Sequence, residues 1–278
     1  SAPSLSDDIY RYIWEGRVLL QGFNPFALAP DSPELAQLRD AFIFPHVTRP
    51  HLTAIYPPLS QFIFAGAGSL GASVTAMKAV FTLFDLATML LLMRMLPLLG
   101  KQPLQAAAYA LNPLVIVEFS GNGHLDSAGI FFIVLGLYAC LKRKELFAAA
   151  GLAAAFLVKL MPALLLPMVL KNKRFTGALV FLGVSCAAFL PFLDAGHRLW
   201  ASLFLYADNW TFNGAFYTLL LEIIPDNQLA RRIAAALFCC GAAGIYYAFF
   251  KTSQARQPDA LLAACQRLLG LLLLLSPV

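Results

Sequence analysis

The apolar positions of this chain fall into long blocks joined by short basic or glycine-containing segments. Blocks near 75–96, 104–120, 126–141, 175–192, 229–250 and 260–275 are apolar almost all the way round. Each approaches or exceeds the length of about 20 residues that a helix needs to cross a bilayer, so each is predicted to be a bilayer helix. The block at 146–170 is interrupted by Lys159 and Pro162 and predicts two short half-helices forming a hairpin. Such breaks are tolerated at membrane depth where they line a polar cavity. Residues 57–71 fit a helix lying at the interface.

The first 58 residues break this pattern. They hold Pro3, Pro25, Pro30, Pro33, Pro45, Pro50, Pro57 and Pro58 of the 17 prolines, and Asp7, Asp8, Glu15, Asp31, Glu34 and Asp40 of the 15 acids. This predicts a large extramembrane loop with short helices, among them an amphipathic stretch from Asp7 to Leu20. The expected fold is all-α and polytopic: residues 1–72 as an acidic loop with interfacial helices, and 73–278 as a transmembrane helical bundle.

Composition agrees with the pattern. Hydrophobic residues make up 60% of the chain and charged residues 13%, against roughly 25% charged in soluble domains. A soluble fold of this size would lack the polar surface to cover itself. A soluble Rossmann enzyme, a disulfide scaffold and a disordered tail are therefore disfavoured. Cys140, Cys186, Cys239, Cys240 and Cys265 all lie in apolar stretches with no metal-knuckle spacing, and read as packing residues.

The net charge of +5 is distributed by side rather than gathered for nucleic acid, which is not an expected partner. Arg94, Lys101, Lys142, Arg143, Lys144, Lys171, Lys173, Arg174, Lys251 and Arg256 fall on one side of the predicted spans. The bias of basic residues in short loops makes that side cytoplasmic. Most acids then lie at the opposite face, together with His46, His51, His124, His197, Trp14, Trp200 and Trp210. A reactive site would face outward.

Several groups on that face have chemical potential. In Asp7-Asp8-Ile9-Tyr10-Arg11-Tyr12-Ile13-Trp14-Glu15-Gly16, helical spacing puts Asp8, Tyr12 and Glu15 on one face and pairs Asp7 with Arg11. Ser6, Asp7 and Asp8 also suit plain helix capping. Acids beside Arg, Tyr and Trp equally suit a catalytic base and a sugar-binding surface. Gly22-Phe23-Asn24-Pro25-Phe26 reads as a turn, and Tyr56-Pro57-Pro58 as an extended lead into the next helix. Gly121-Asn122-Gly123-His124-Leu125-Asp126 is a tight outer loop, but turning alone does not explain His124 and Asp126 at bilayer depth. Lys159 suits either a snorkelling lysine or an ammonium facing a cavity and meeting a phosphate. Lys78 and Asp85 share a helix face and suit pairing through neighbouring spans. The segment Tyr206–Asn213 reads as interfacial aromatics or a ligand loop. The glycines at 66, 68, 241 and 244 look like helix contact points. No Gly-rich phosphate cradle and no metal-ligand cluster is present, and no cofactor is expected.

Taken in order, these pieces resemble the multi-spanning GT-C glycosyltransferases, and within them the polyprenyl-phosphate-mannose-dependent mannosyltransferases of glycosyltransferase family 87 and their bacterial relatives. The matching pieces are Asp7-Asp8-Ile9-Tyr10-Arg11-Tyr12 with Glu15-Gly16, then Gly22-Phe23-Asn24-Pro25-Phe26, then Tyr56-Pro57-Pro58. After them come Asn112-Pro113, Gly123-His124-Leu125-Asp126, Lys159 with Pro162 and Pro167, and Trp210-Thr211-Phe212-Asn213. Such enzymes begin with a span before the acidic loop and continue past Ser276-Pro277 with a His-Pro-Trp-Tyr-like segment. By that resemblance the chain is expected to be a fragment lacking an N-terminal span and further C-terminal spans.

The resemblance implies a polyprenyl-phosphate-linked sugar donor, mannose above other hexoses, and an acid of the first outer loop as base. It further implies a glycan or glycolipid acceptor and an integral multi-pass protein of the bacterial plasma membrane, active on its periplasmic or extracellular face. A sugar on a lipid phosphate already carries a good leaving group, so what remains is to deprotonate the acceptor and neutralise the departing phosphate. Inverting transfer needs one base opposite the leaving group, whereas a covalent route would call for a second acid. Asp8 is the expected base, with Asp7 as its neighbour in the same role. Lys159 and His124 are expected on the phosphate, with Arg49 and Arg198 behind them. Asp126, Trp14, Tyr56 and Trp210 are expected to shape the sugar or acceptor pocket. The competing class is a polytopic transporter or lipid flippase with a midplane polar site. Such folds usually carry repeated halves, and the acids here cluster in a long loop instead.

Overall fold

The computed structural model describes residues 6–170, 174–211, 214–251 and 257–276. Lys171, Lys173, Arg256, Phe212 and Asn213, which the sequence reading used, lie outside the described residues. The described residues form helices and no strand. Helices of ten residues or more are α1 (Asp8–Leu20), α2 (Pro58–Ser69), α3 (Val74–Met95), α4 (Asp126–Leu141), α5 (Glu145–Phe156), α6 (Arg174–Phe189), α7 (Arg198–Asn209), α8 (Gly214–Ile223), α9 (Asn227–Lys251) and α10 (Pro258–Leu275). They belong to two compact units, Ser1–Leu166 with Leu170–Ser202, and Pro167–Val169 with Leu203–Val278.

Among the described residues four helical stretches are long and apolar enough to cross a membrane: Val74–Leu99, Arg174–Ala195, Asn227–Lys251 and Pro258–Leu275. Their positions follow the predicted blocks at 75–96, 175–192, 229–250 and 260–275. The chain is an all-α, polytopic membrane protein. The block at 104–120 departs from expectation. It is a 3-10 turn at Pro103–Ala106, a single turn at Ala107–Ala110, and then, after the extended Asn112, a segment over Pro113–Gly121 that meets α4 at a bend of 118°. Asn112 cannot continue a helix into Pro113, and its side chain instead caps the Leu114 amide at 3.0 Å. The block at 146–170 breaks as its sequence predicts, with α5 ending at Phe156 and a 3-10 turn beginning at Met161.

In the first unit the core runs from α1 through α2 and α3 to the start of α4. Ile9, Tyr12, Ile13, Phe64, Ala67, Met77, Phe81, Leu125, Ala128 and Val158 are buried together. The α1–α2 crossing depends on Gly16, where a Cβ would stand 2.4 Å from the Phe64 carbonyl oxygen. The α4–α5 crossing depends on a second pair of glycines, which sequence reading did not single out: a Cβ on Gly151 would stand 2.9 Å from Gly136 Cα. Of the predicted contact glycines, Gly68 meets Leu20, Gly241 meets Leu271, and Gly66 and Gly244 face open space.

A smaller core joins Phe26 and Ala54 to Phe192, Ala195 and Leu199. Here Asn24 is more than a turn residue. Its side chain caps the Phe26 amide at 2.9 Å and donates to Asp194 Oδ1 at 2.5 Å and to the Phe192 carbonyl at 3.3 Å.

The second unit contains α8, α9 and α10. Gly241 lets α9 approach Leu271 of α10. Buried Tyr217 donates to Asn227 Oδ1 at 2.5 Å, and the Arg231 guanidinium lies 5.4 Å from its ring centre. Arg231 also donates to the carbonyls of Ala207 and Trp210, at 2.7 and 2.9 Å. The cysteines are not uniformly packing residues. Cys265 is buried, but Cys186, Cys239 and Cys240 are exposed on apolar helices.

Candidate functional site

The acidic loop is held on a buried ion pair. Arg11, expected to turn back to Asp7, turns forward instead, its Nε donating to Glu15 Oε1 at 2.6 Å. Its other nitrogens donate to the carbonyls of Leu52, Arg49 and Thr48, at 2.6, 3.3 and 3.4 Å. Gln61 on α2 donates to the second Glu15 oxygen at 2.8 Å and to the Tyr56 carbonyl at 3.1 Å. One guanidinium thus fixes α1, the 48–52 segment and the approach to α2. Glu15, one of the acids on the predicted face, is structural.

At the head of α1 the capping is done by Ser6, whose hydroxyl accepts from the Asp8 amide at 3.2 Å. Asp7 makes no side-chain capping bond and is exposed, whereas Asp8 is half-buried. One turn on, Tyr12 is 2% exposed, stacked on Phe64 at 4.6 Å between ring centres and edge-on to Tyr56 at 5.2 Å. Burial first, then Tyr56 and the carboxylates of Asp8 and Asp126, push the Tyr12 hydroxyl well above its ordinary pKa. That hydroxyl is hydrogen-bonded to Tyr56. Tyr12 therefore stays protonated, and it senses a carboxylate from α1 and one from α4.

The break after α5 is locked to the start of α2. Pro58 has no amide hydrogen, so Leu59 and Ser60 carry the first free N–H groups of α2. Both donate to the Leu157 carbonyl, at 3.1 and 3.4 Å, and Ser60 Oγ donates to the Val158 carbonyl at 3.0 Å. The carbonyls freed where the helix stops are thus satisfied, and the next residue, Lys159, is presented rather than buried. Its Nζ lies 2.5 Å from Asp126 Oδ1, at the first turn of α4. The two side chains are 40% and 39% exposed.

The loop before α4 is pressed onto α1. Gly123 adopts φ 75°, and a Cβ there would stand 2.6 Å from Ile9 Cδ1 and 3.0 Å from Lys78 Cγ. Ahead of it, Ile116–Gly121 is wound as a π-helical turn, a local irregularity common at functional sites. His124 Nε2 lies 3.3 Å from Glu118 Oε2, an oxygen that also accepts from Asn122 Nδ2 at 3.5 Å. Glu118 went unnoticed in the sequence, although an acid six residues before His124 in an apolar stretch was a signal. Asp85, expected to pair through a neighbouring span, accepts from the Tyr109 hydroxyl at 2.7 Å.

The structure thus brings Asp8, Tyr56 and Asp126 to bear on Tyr12, with Lys159 paired to Asp126 and His124 on the adjoining loop. Other predicted residues lie elsewhere. Trp14 is 1% exposed, its ring against Phe44, so it offers a sugar no accessible face. Arg49, at φ 50°, lends its carbonyl to Arg11, and its side chain is exposed. Arg198 is exposed and donates to the Ala27 carbonyl at 3.1 Å. Trp210 belongs to the second unit, stacked on Tyr206 at 5.7 Å between ring centres. Among the described residues no three His, Cys, Asp or Glu side chains converge to hold a metal ion.

Residues 1–172 match a family model described as alpha-(1->6)-mannopyranosyltransferase, N-terminal domain. An alpha-(1->6)-mannopyranosyltransferase A of Corynebacterium glutamicum is 26% identical over 178 residues, which cover 61% of this chain and 35% of the relative. The chain spans about a third of the length of that curated relative. No solved structure matches the chain.

Proposed function

The chain belongs to the family defined by the N-terminal domain of alpha-(1->6)-mannopyranosyltransferases, and from that premise we propose that it forms the catalytic part of a membrane mannosyltransferase. The donor in this reading is a mannose joined to a polyprenyl phosphate, and the acceptor is a hydroxyl of a glycan or glycolipid. Residues 1–72 form the extracytoplasmic loop and 73–278 the membrane bundle, with the site on the outer face of a bacterial plasma membrane.

The observation that carries this reading is the gathering at the head of α1. The carboxylates of half-buried Asp8 and of Asp126 both act on the hydrogen-bonded Tyr12–Tyr56 pair, and Asp126 in turn holds a half-exposed ammonium, Lys159. Asp8 takes the proton from the acceptor hydroxyl. The hydroxyl oxygen bonds to the anomeric carbon as the bond from that carbon to the phosphate oxygen breaks on the opposite face, and the configuration inverts. The bonding electrons leave with the phosphate, which Lys159 and His124 neutralise, with Arg49 and Arg198, outside that gathering, as further candidates for the same role. Asp126 and Tyr56 border the sugar. Asp7, exposed at the helix start, is the second candidate base.

Full-length protein in detergent, given polyprenyl-phosphate mannose and acceptor, tests this. Asp8→Asn should lower turnover by about 10²–10⁴-fold, the usual worth of a positioned general base, with unchanged membrane insertion. Near-normal product from both Asp8→Asn and Asp7→Asn would refute the assignment.

A further inference from the structure

The Lys159–Asp126 contact is a satisfied ion pair standing where the donor phosphate is placed in the reading above. Resting on that reading, we propose that Asp126 is an internal competitor for Lys159, displaced by the lipid phosphate and returning to expel the phosphomonoester after transfer.

Three observations converge on this. The pair is short, at 2.5 Å, yet both side chains are about two-fifths exposed. An exposed pair is worth little and is readily exchanged for another anion. Lys159 follows a break whose Leu157 and Val158 carbonyls are held by Leu59 and Ser60, so the backbone that carries the ammonium stays in place while its flexible stem can change partner. Asp126 sits in the first turn of α4, where the helix dipole keeps a carboxylate comfortable without the lysine. The carboxylate can therefore release Lys159 without being stranded.

Charge supplies the direction. The donor is a phosphodiester with one negative charge. Transfer breaks its bond to the sugar and leaves a phosphomonoester of about −1.5 to −2 at neutral pH. A cation alone would hold the product more tightly than the donor and stall turnover. A carboxylate beside the same cation repels the more charged species more strongly and takes back the ammonium. The same logic extends to His124, which is already engaged by Glu118.

The test uses full-length protein in nanodiscs of zwitterionic lipid, with a short-chain prenyl phosphate as the titrated ligand. Asp126→Asn should bind it about fivefold more tightly, the fold-change equivalent to an exposed ion pair lost by the competitor. In turnover the same variant should show a lower kcat, a lower KM for donor and stronger product inhibition. Equal or weaker binding by Asp126→Asn would overturn the proposal. Wild-type affinity in Lys159→Met would instead remove Lys159 from the phosphate and with it the reading beneath. Inorganic phosphate should compete poorly; displacement of the prenyl phosphate at equal concentration would overturn the assignment to a lipid product.

Discussion

The most consequential structural prediction concerns Arg11. Its side chain is 8% exposed and that of Glu15 is 2% exposed, so the pair is buried. Replacing Arg11 by Met keeps the apolar stem but leaves the Glu15 carboxylate in the core with only the Gln61 amide, 2.8 Å away. Breaking one partner of a buried pair costs about 3–5 kcal/mol. The carbonyls of Thr48 and Arg49 belong to exposed residues and regain water, so they add little, whereas that of Leu52 adds about 1 kcal/mol. A loss of about 4–6 kcal/mol is a large share of the roughly 5–15 kcal/mol that holds a domain together.

Urea titration of the detergent-solubilised protein reports this change, because urea attacks the loop before membrane helices. Trp14, buried on the same helix, supplies the signal through the red shift of its emission, with Trp200 and Trp210 changed to Phe. Glu15→Gln on top of Arg11→Met should recover part of the loss, since a neutral amide no longer strands a charge. A loss below about 1 kcal/mol for Arg11→Met, the range of exposed pairs, would show the pair to be hydrated and refute the reasoning.

Other outcomes follow from single features. Gly16→Ala should cost about 1–3 kcal/mol in the same titration, since its Cβ would meet the Phe64 carbonyl oxygen at 2.4 Å and only backbone can yield. Gly151→Ala should lower the melting temperature in detergent by opening the α4–α5 crossing, while Gly244→Ala, facing open space, should leave it unchanged. At Asp40, burial acts to raise the pKa but is outweighed by hydrogen bonds from the Ile43 and Phe42 amides and from Arg17, which hold the carboxyl below its ordinary 3.8. Its contribution is therefore present above that ordinary value and disappears as pH falls through the lower folded value. As pH falls below about 4 the wild type should lose more stability than Asp40→Asn, as urea midpoints would show.

The elements most legible in the sequence were those set by composition along one chain segment. The spans at 74–99, 174–195, 227–251 and 258–275 announce themselves because bilayer helices need only apolar side chains and internal hydrogen bonds. The break at Lys159 was legible for the same reason, since Pro162 and a charge violate both requirements. What the sequence hid depends on partners distant along the chain. The i,i+4 rule offered Arg11 two acids, Asp7 and Glu15. The choice fell to Glu15 because the 48–52 carbonyls and Gln61 surround that side of the helix. Trp14 looked like a sugar platform by residue type, but its place on α1 faces Phe44. Lys159 and Asp126, 33 residues apart, were each suspect alone; only the fold pairs them.

Two ion pairs of nearly equal length then separate scaffold from site. Arg11–Glu15 spans 2.6 Å and Lys159–Asp126 spans 2.5 Å, so distance does not distinguish them. Exposure does. The first is closed off from solvent and cannot admit a ligand, and breaking it strands a charge in the core; it is suited to hold the loop against α2. The second stands open to solvent and loses little when broken, and either member is rehydrated or taken by another ion. The site proposed above, which would bind an anionic lipid and then release a more highly charged one, calls for the second kind of pair, held in place by the first. The Leu59 and Ser60 bonds to the helix break connect them, because α2 carries Gln61 to Glu15 at one point and fixes the backbone before Lys159 at another. A change that loosens the buried pair should therefore move the exposed one, so Arg11→Lys should alter donor KM without touching substrate. An Arg11→Lys enzyme with wild-type donor KM and a lowered urea midpoint would show the two pairs to be mechanically independent.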